Sequence, residues 1–429
     1  MSQVAFDKDT KAGDGGEPSP AMNLHAYRPI PRISIQAFCE SDNVARQIAR
    51  ASEDRRMAKT HVQVHMGGVE TAVELFQTVP TPNLILLETS AAPRDMLQSL
   101  AALSEVCDPS TKVVIIGHFN DVWLYRELIR NGISEYMVAP IDLSEIIGVI
   151  GGLFVDPEAK PLGHSIAFIG AKGGVGASTM AHNVAWAIST LFKNEVVIAD
   201  MDLPYGTANI NFDQDPAQGI AEAVFSPERI DDVYLDRLLA QCAEHLSLLA
   251  APSTLERVFD FRDDSFAHLI DVAQRSVPHV VLDVPHTWNG WTRTTLARAD
   301  EVVIVASPEL ANLRNTKNLL DTLKQLRPND APPRLILNQV GVPKRPEIAP
   351  LDFCSPLGLL PVATIPFDPA LFGNAANNGR MLAETDGANP IVQSINEIAH
   401  ILTGRMTLKP KRKPGLSSVL SRLKRKKQS

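Results

Sequence analysis

Cysteine is scarce. The 429 residues hold four, Cys39, Cys107, Cys242 and Cys354, far apart and never in a C-x-x-C pair. That spacing excludes a disulfide framework and a paired-cysteine zinc site, and it fits a reducing compartment. Long apolar runs are missing too. The longest, residues 146–155, is too short to span a bilayer. The first residues lack the basic-then-apolar order of a secretion signal, and no internal repeat is evident. Together these absences lead us to expect a cytoplasmic protein. What is present is ordinary for globular chains: 45% apolar and 21% charged residues, and enough length for two domains with their own cores.

Charge is unevenly placed. The net −8 conceals ten Lys or Arg and no acid in residues 405–429, against 31 basic and 49 acidic residues in the rest. A basic tail on an acidic body calls for an anionic partner. Leu416, Val419, Leu420 and Leu423 share one face of a helix, with Arg422 and the basic run 424–427 beside it. The pattern resembles a short interfacial helix, expected to make a peripheral inner-membrane contact. A solubilising tail and a nucleic-acid contact are the alternatives.

Along the chain, residues 1–31 are rich in Gly, Pro, Ser and Asp with no apolar period, which predicts disorder. Residues 32–155 alternate strand-length apolar runs (33–38, 61–66, 83–88, 112–117, 134–139) with helical segments (from 44, 69–77, 121–132, 141–154). A linker is expected at 156–164. Residues 165–404 repeat the alternation, with strands at 165–171, 195–200, 246–252, 279–285, 301–308, 334–340 and near 361–366. Strands this apolar, alternating with helices, predict α/β domains with mostly parallel sheets covered on both faces.

The segment GAKGGVGAST at residues 170–179 follows a strand and opens a helix. Gly173, Gly174 and Gly176 let backbone N–H groups converge on an oxyanion, and the helix adds its positive end. Ser178 would supply a hydroxyl to Mg²⁺. The usual pattern G-x-x-x-x-G-K-[ST] fails twice: Ala171 replaces its first glycine and Ala177 its lysine. Losing one charge-assisted hydrogen bond of about 1.5–3 kcal/mol weakens phosphate binding roughly 10- to 150-fold. ATP binding should survive and hydrolysis should be slow.

Lys172 stands early in the loop, in the order K-G-G-V-G-x-[ST]-T, and this resembles the deviant Walker A class of the MinD and ParA ATPases. The resemblance implies that Lys172 contacts phosphates across a nucleotide-sandwich homodimer. It implies that Gly173, Gly174, Val175, Gly176, Ala177, Ser178 and Thr179 cradle ATP, with Ser178 and Asp283 holding Mg²⁺. Asp202, in the D-M-D of residues 200–202, would orient the attacking water, and Asn338 would read adenine. Residues 286–291 (HTWNGW) would form a second switch, whose tryptophans serve packing or a partner. Residues 365–384 match the late element beside the base.

The joined pattern is similar to the CpaE (TadZ) family of pilus-assembly proteins. That likeness implies a nucleotide-switched assembly factor at the cell pole, with a pilus secretion motor ATPase and polar factors as partners. The first domain resembles a response-regulator receiver without its chemistry. Glu40 and Asp42 only approximate the first acidic pocket, Glu88 ends strand three, Gly117 or His118 replaces the hydroxyl residue, and Ala139 replaces the lysine. It is expected to be unphosphorylated and to serve docking or dimerisation. A DNA-partitioning ATPase is the main alternative, and the acidic body argues against DNA. A reductase component lacks its cysteine pair.

Overall fold

The computed structural model describes residues 27–155, 162–255 and 258–405. The expectations for residues 1–26, for linker residues 156–161 and for the tail from 406 onward lie outside these. Contacts divide the chain into two units, residues 1–159 and 160–429.

Among the described residues of the first unit, five strands alternate with five α-helices: β1 (Ser34–Cys39), α1 (Asp42–Ser52), β2 (His61–Met66), α2 (Val69–Phe76), β3 (Leu84–Thr89), α3 (Pro93–Val106), β4 (Lys112–Gly117), α4 (Val122–Arg130), β5 (Glu135–Val138) and α5 (Leu143–Phe154). All pairings are parallel, in the order β2-β1-β3-β4-β5, which is the flavodoxin-like winding of receivers. The central strand β3 is buried along its whole length, which explains its unbroken apolar reading. Asp142 caps α5: it accepts from Glu145 N at 2.9 Å in a reciprocal capping box. Of residues 27–31, read from sequence with the disordered stretch, Ile30 is packed instead. Ile30 is fully buried and its N–H donates to Arg56 O at 2.8 Å.

At the carboxyl end of this sheet, Glu88 is fully buried and accepts from Ser41 N (2.8 Å) and Ser41 Oγ (2.7 Å), with His118 Nε2 at 3.3 Å. Glu40 turns instead to Ser90, and Asp42 opens α1. Glu88 therefore braces the loop after β1 from inside, while Glu40 and Asp42 are exposed.

The second unit runs β6 (His164–Gly170), α6 (Ala177–Phe192), β7 (Val196–Asp200), α7 (Ala208–Asn211), α8 (Ile220–Phe225), α9 (Asp232–Leu238), β8 (Ala240–Ala243), β9 (Leu246–Leu249), α10 (Ala267–Ser276), β10 (His279–Val284), α11 (Gly290–Arg298), β11 (Glu301–Ala306), α12 (Leu310–Leu326), β12 (Arg334–Val340), α13 (Pro350–Cys354), β13 (Ala363–Pro366), α14 (Pro369–Asn377), α15 (Leu382–Thr385) and α16 (Pro390–Leu402). The sheet order is β13-β12-β11-β6-β10-β7-β9-β8, parallel except for β8 at one edge. One core lies on each face. Helix α6 is sandwiched between sheet and α16, so its buried residues run all round it. Parallel register sets the end of β10 beside the ends of β6 and β7, pairing Asp283 with Phe168 and with Asp200. Among the described residues, no helix is long and apolar enough to cross a membrane.

Candidate functional site

The site forms where β6, β7 and β10 end, at the crevice where open α/β sheets receive ligands. Strand β6 gives way to a loop that α6 resumes at Ala177. Gly174 and Gly176 hold φ of +80° and +86°, a region costly for residues with a Cβ. A Cβ on Gly173 or Gly174 would meet nothing within 4 Å, so these glycines present bare backbone to open space.

Four side chains pin the loop by its carbonyls. His286 Nδ1 donates to Gly170 O (2.8 Å), Asn315 Nδ2 to Ala171 O (2.9 Å), Gln339 Nε2 to Gly174 O (2.9 Å) and Asn338 Nδ2 to Val175 O (2.8 Å). In a trans peptide the following N–H points opposite to the carbonyl. Tying the carbonyls back therefore turns the amides of Lys172, Val175 and Gly176 the other way, as an anion cradle requires. The loop, with Ser178 and Thr179, lines a cavity of about 480 Å³ that also takes in Asp202, His286, Asn338 and the segment 366–369.

Opposite the loop sit the acids. Ser178 Oγ donates to Asp283 Oδ1 at 3.1 Å. Asp283, next to last in β10, is buried. Asp200 is buried and its pKa is pushed up to about 7, first by burial and then by the Asp283 carboxylate. It accepts from Ala208 N (3.0 Å) and Asp202 N (3.2 Å), bracing the loop after β7. Burial also raises the Asp202 carboxyl. Lys172 is half-exposed, with Nζ 3.6 Å from Glu309 Oε2.

A hydroxyl beside a carboxylate, with two further acids carrying raised pKa values nearby, fits a hard divalent cation. Mg²⁺ takes one or two carboxylates and fills its remaining positions with water and phosphate oxygens. Among the described residues no cluster of three or more His, Cys, Asp or Glu could hold a metal.

The structure thus brings together the loop residues, Ser178, Asp283, Asp202 and Asn338, and leaves Lys172 at the rim beside Glu309. The sequence reading takes His286 only as the first residue of a second switch and does not single out His182. His286 borders the cavity. His182, buried on α6, has Nδ1 3.0 Å from Asn211 Nδ2, and Nε2 lies 3.2 Å from Asp283 Oδ2, off the line of a good hydrogen bond. A lone histidine has no spacing to betray it. Of the two tryptophans, Trp291 is buried against Phe266, ring centroids 4.6 Å apart, and Trp288 is half-exposed.

A glycine loop between strand and helix, with aspartates at two neighbouring strand ends, defines a P-loop NTPase of the MinD/ParA class. A family model described as an AAA domain matches residues 163–335. The septum site-determining protein MinD of Bacillus subtilis (strain 168) is 23% identical over 190 residues, 42% of this chain. That match spans 66% of the relative's length, just under two thirds. The structure of MinD from Pyrococcus horikoshii OT3, complexed with Mg-ADP, shares the fold over 58% of this chain and 100% of its own, with a TM-score of 0.51 and 19% identity. The pilus assembly protein CpaE from Caulobacter crescentus CB15 is 44% identical, over 30% of this chain and 98% of that chain, with a TM-score of 0.30. Its likeness falls on the N-terminal, receiver-like unit. By that identity and coverage the chain belongs to the CpaE family, and its second unit has the MinD/ParA fold.

Proposed function

We propose that this chain is an ATP-binding, slowly hydrolysing switch that positions or assembles a Flp-type pilus secretion machine. The observation that carries the reading is the Ser178–Asp283 pair, 3.1 Å apart beneath the bare glycine loop, because magnesium and a phosphate chain need that juxtaposition. In this reading residues 173–179 bind the phosphates, Ser178 and Asp283 hold Mg²⁺, and Asp202 orients the attacking water. Asn338 has committed its amide nitrogen to Val175 O, which leaves its carbonyl oxygen to accept from an adenine amino group. Lys172, at the rim, reaches the nucleotide of a second copy, so ATP closes a homodimer.

The relatives support this. A MinD of the same fold was solved with Mg-ADP, and the CpaE relative is a pilus assembly protein. The dimer would engage polar factors and the secretion motor ATPase, and the basic tail would add a peripheral inner-membrane contact. Affinity capture from native cells, with ATP or ADP retained, tests the assembly role. A secretion-type motor ATPase should co-purify in the ATP state, and its absence in both states would reject the pilus role. Liposome flotation of the full chain and of a chain ending at residue 404 tests the tail, and equal flotation would remove the membrane contact.

A further inference from the structure

Two residues of α6, one turn apart, approach the same carboxylate. Ser178 Oγ donates to Asp283 Oδ1 at 3.1 Å, and His182 Nε2 lies 3.2 Å from Asp283 Oδ2. Positions i and i+4 share a helix face, so one helix reaches both oxygens. We infer that His182 is a positioning residue for the metal site: it holds Oδ2, so that Oδ1 stays turned to Ser178 and to the magnesium ion of a bound nucleotide. The inference rests on the reading of Ser178 and Asp283 as the magnesium pair.

The ring is fixed from its other side. Asn211 Nδ2 lies 3.0 Å from His182 Nδ1. An amide nitrogen only donates, so Nδ1 accepts, and the ring carries its proton on Nε2, the nitrogen that faces Asp283. Phe212 packs against the ring, centroids 5.4 Å apart. Asn211 and Phe212 stand at the end of α7, so the segment after β7 sets both the tautomer and the tilt of the imidazole.

His182 is buried, and its Nε2 has no well-aligned acceptor. A buried N–H without an acceptor is costly. Asp283 Oδ2 is within reach, whereas Asp200, the neighbouring buried acid, already accepts from Ala208 N and Asp202 N. The terminal torsion of an aspartate is soft. A turn of the Asp283 carboxylate therefore brings Oδ2 into line with Nε2, and without that donor the same softness would let the carboxylate swing away from Ser178. Partners of this kind orient a metal-binding carboxylate and tune the affinity of its site. A ring that served only to pack against Phe212 would need no nitrogen beside a carboxylate.

The test titrates Mg²⁺ into the full chain holding a fluorescent ATP analogue, repeats the nucleotide titration in EDTA, and uses urea melting without nucleotide as the control for folding. His182→Leu fills the space and loses the donor. It should raise the magnesium midpoint about 10- to 100-fold and leave metal-free nucleotide affinity unchanged. His182→Gln, whose amide can donate to Asp283, should recover most of the magnesium response. Asn211→Leu, at a half-buried position outside the cavity lining, frees the ring and should shift the midpoint the same way by less. A wild-type midpoint in His182→Leu, or His182→Gln as impaired as His182→Leu, would overturn the inference and leave the nucleotide reading standing. Should His182→Leu not fold, a wild-type midpoint in Asn211→Leu would overturn it equally. Wild-type binding that is unsaturable, or indifferent to magnesium, would overturn the nucleotide reading and this inference with it.

Discussion

Ser178 and Asp283, 105 residues apart in the chain, meet through a 3.1 Å hydrogen bond. Neither residue signals a site alone. The first lies in the opening turn of the helix after a glycine loop, and the second is next to last in a strand that pairs in register with the strand before that loop. The parallel sheet brings hydroxyl and carboxylate together where a magnesium-bound phosphate chain would lie.

Lys172 offers a prediction that separates stability from switching. Its ion pair with Glu309 is half-exposed and 3.6 Å long, and such pairs contribute about 0–1 kcal/mol. Lys172→Ala should therefore melt within that margin of wild type while losing ATP-dependent dimerisation. Sedimentation with and without Mg-ATP measures the second effect, and an unchanged dimer fraction would reject the role.

Two glycines of the loop should respond in opposite ways. Gly176 sits at φ +86°, and a Cβ there would lie 2.6 Å from Asn338 Nδ2. Gly176→Ala should destabilise the fold by roughly 1–3 kcal/mol, seen as a lower midpoint in urea. A Cβ on Gly173 meets nothing, so Gly173→Ala should spare stability and weaken nucleotide binding, because its methyl enters the cradle. Equal melting of the two variants would contradict the loop geometry.

His279 predicts a pH dependence away from the site. Burial, aided by His164 and Arg405, lowers its pKa from 6.5 to about 4. Between those values the unfolded chain binds a proton that the folded one refuses, so stability rises with pH there. The contribution is fully present above about pH 6.5 and is lost as pH falls towards 4, a change of about 3 kcal/mol over the window. His279→Gln should flatten that part of the stability profile in urea melts at stepped pH. A parallel profile would show that other groups set the slope.

Much of this was legible in the sequence, for physical reasons. Strands such as β3 and β10 are buried on both faces, so they appear as unbroken apolar runs. The loop at 170–179 is contiguous, so its spacing can be read. Helix α3 was not seen, because only Met96 and Leu103 of its fourteen residues are buried and the apolar stripe is thin. Strand β8 (AQCA) lies at the edge, antiparallel, with no β-branched residue to mark it. His182, His286 and Asn315 act by aim rather than by spacing, and only the register of β6 against β10 shows what they face.

The account's central claim is that the loop holds a magnesium-bound triphosphate without its usual lysine. Titration of labelled ATP into the wild type and Asp283→Ala, each with and without magnesium, tests it most directly. The account predicts saturable wild-type binding that tightens about tenfold or more with magnesium, and no magnesium response in Asp283→Ala. Wild-type binding that stays unsaturated with magnesium present, or a full magnesium response in Asp283→Ala, would contradict it.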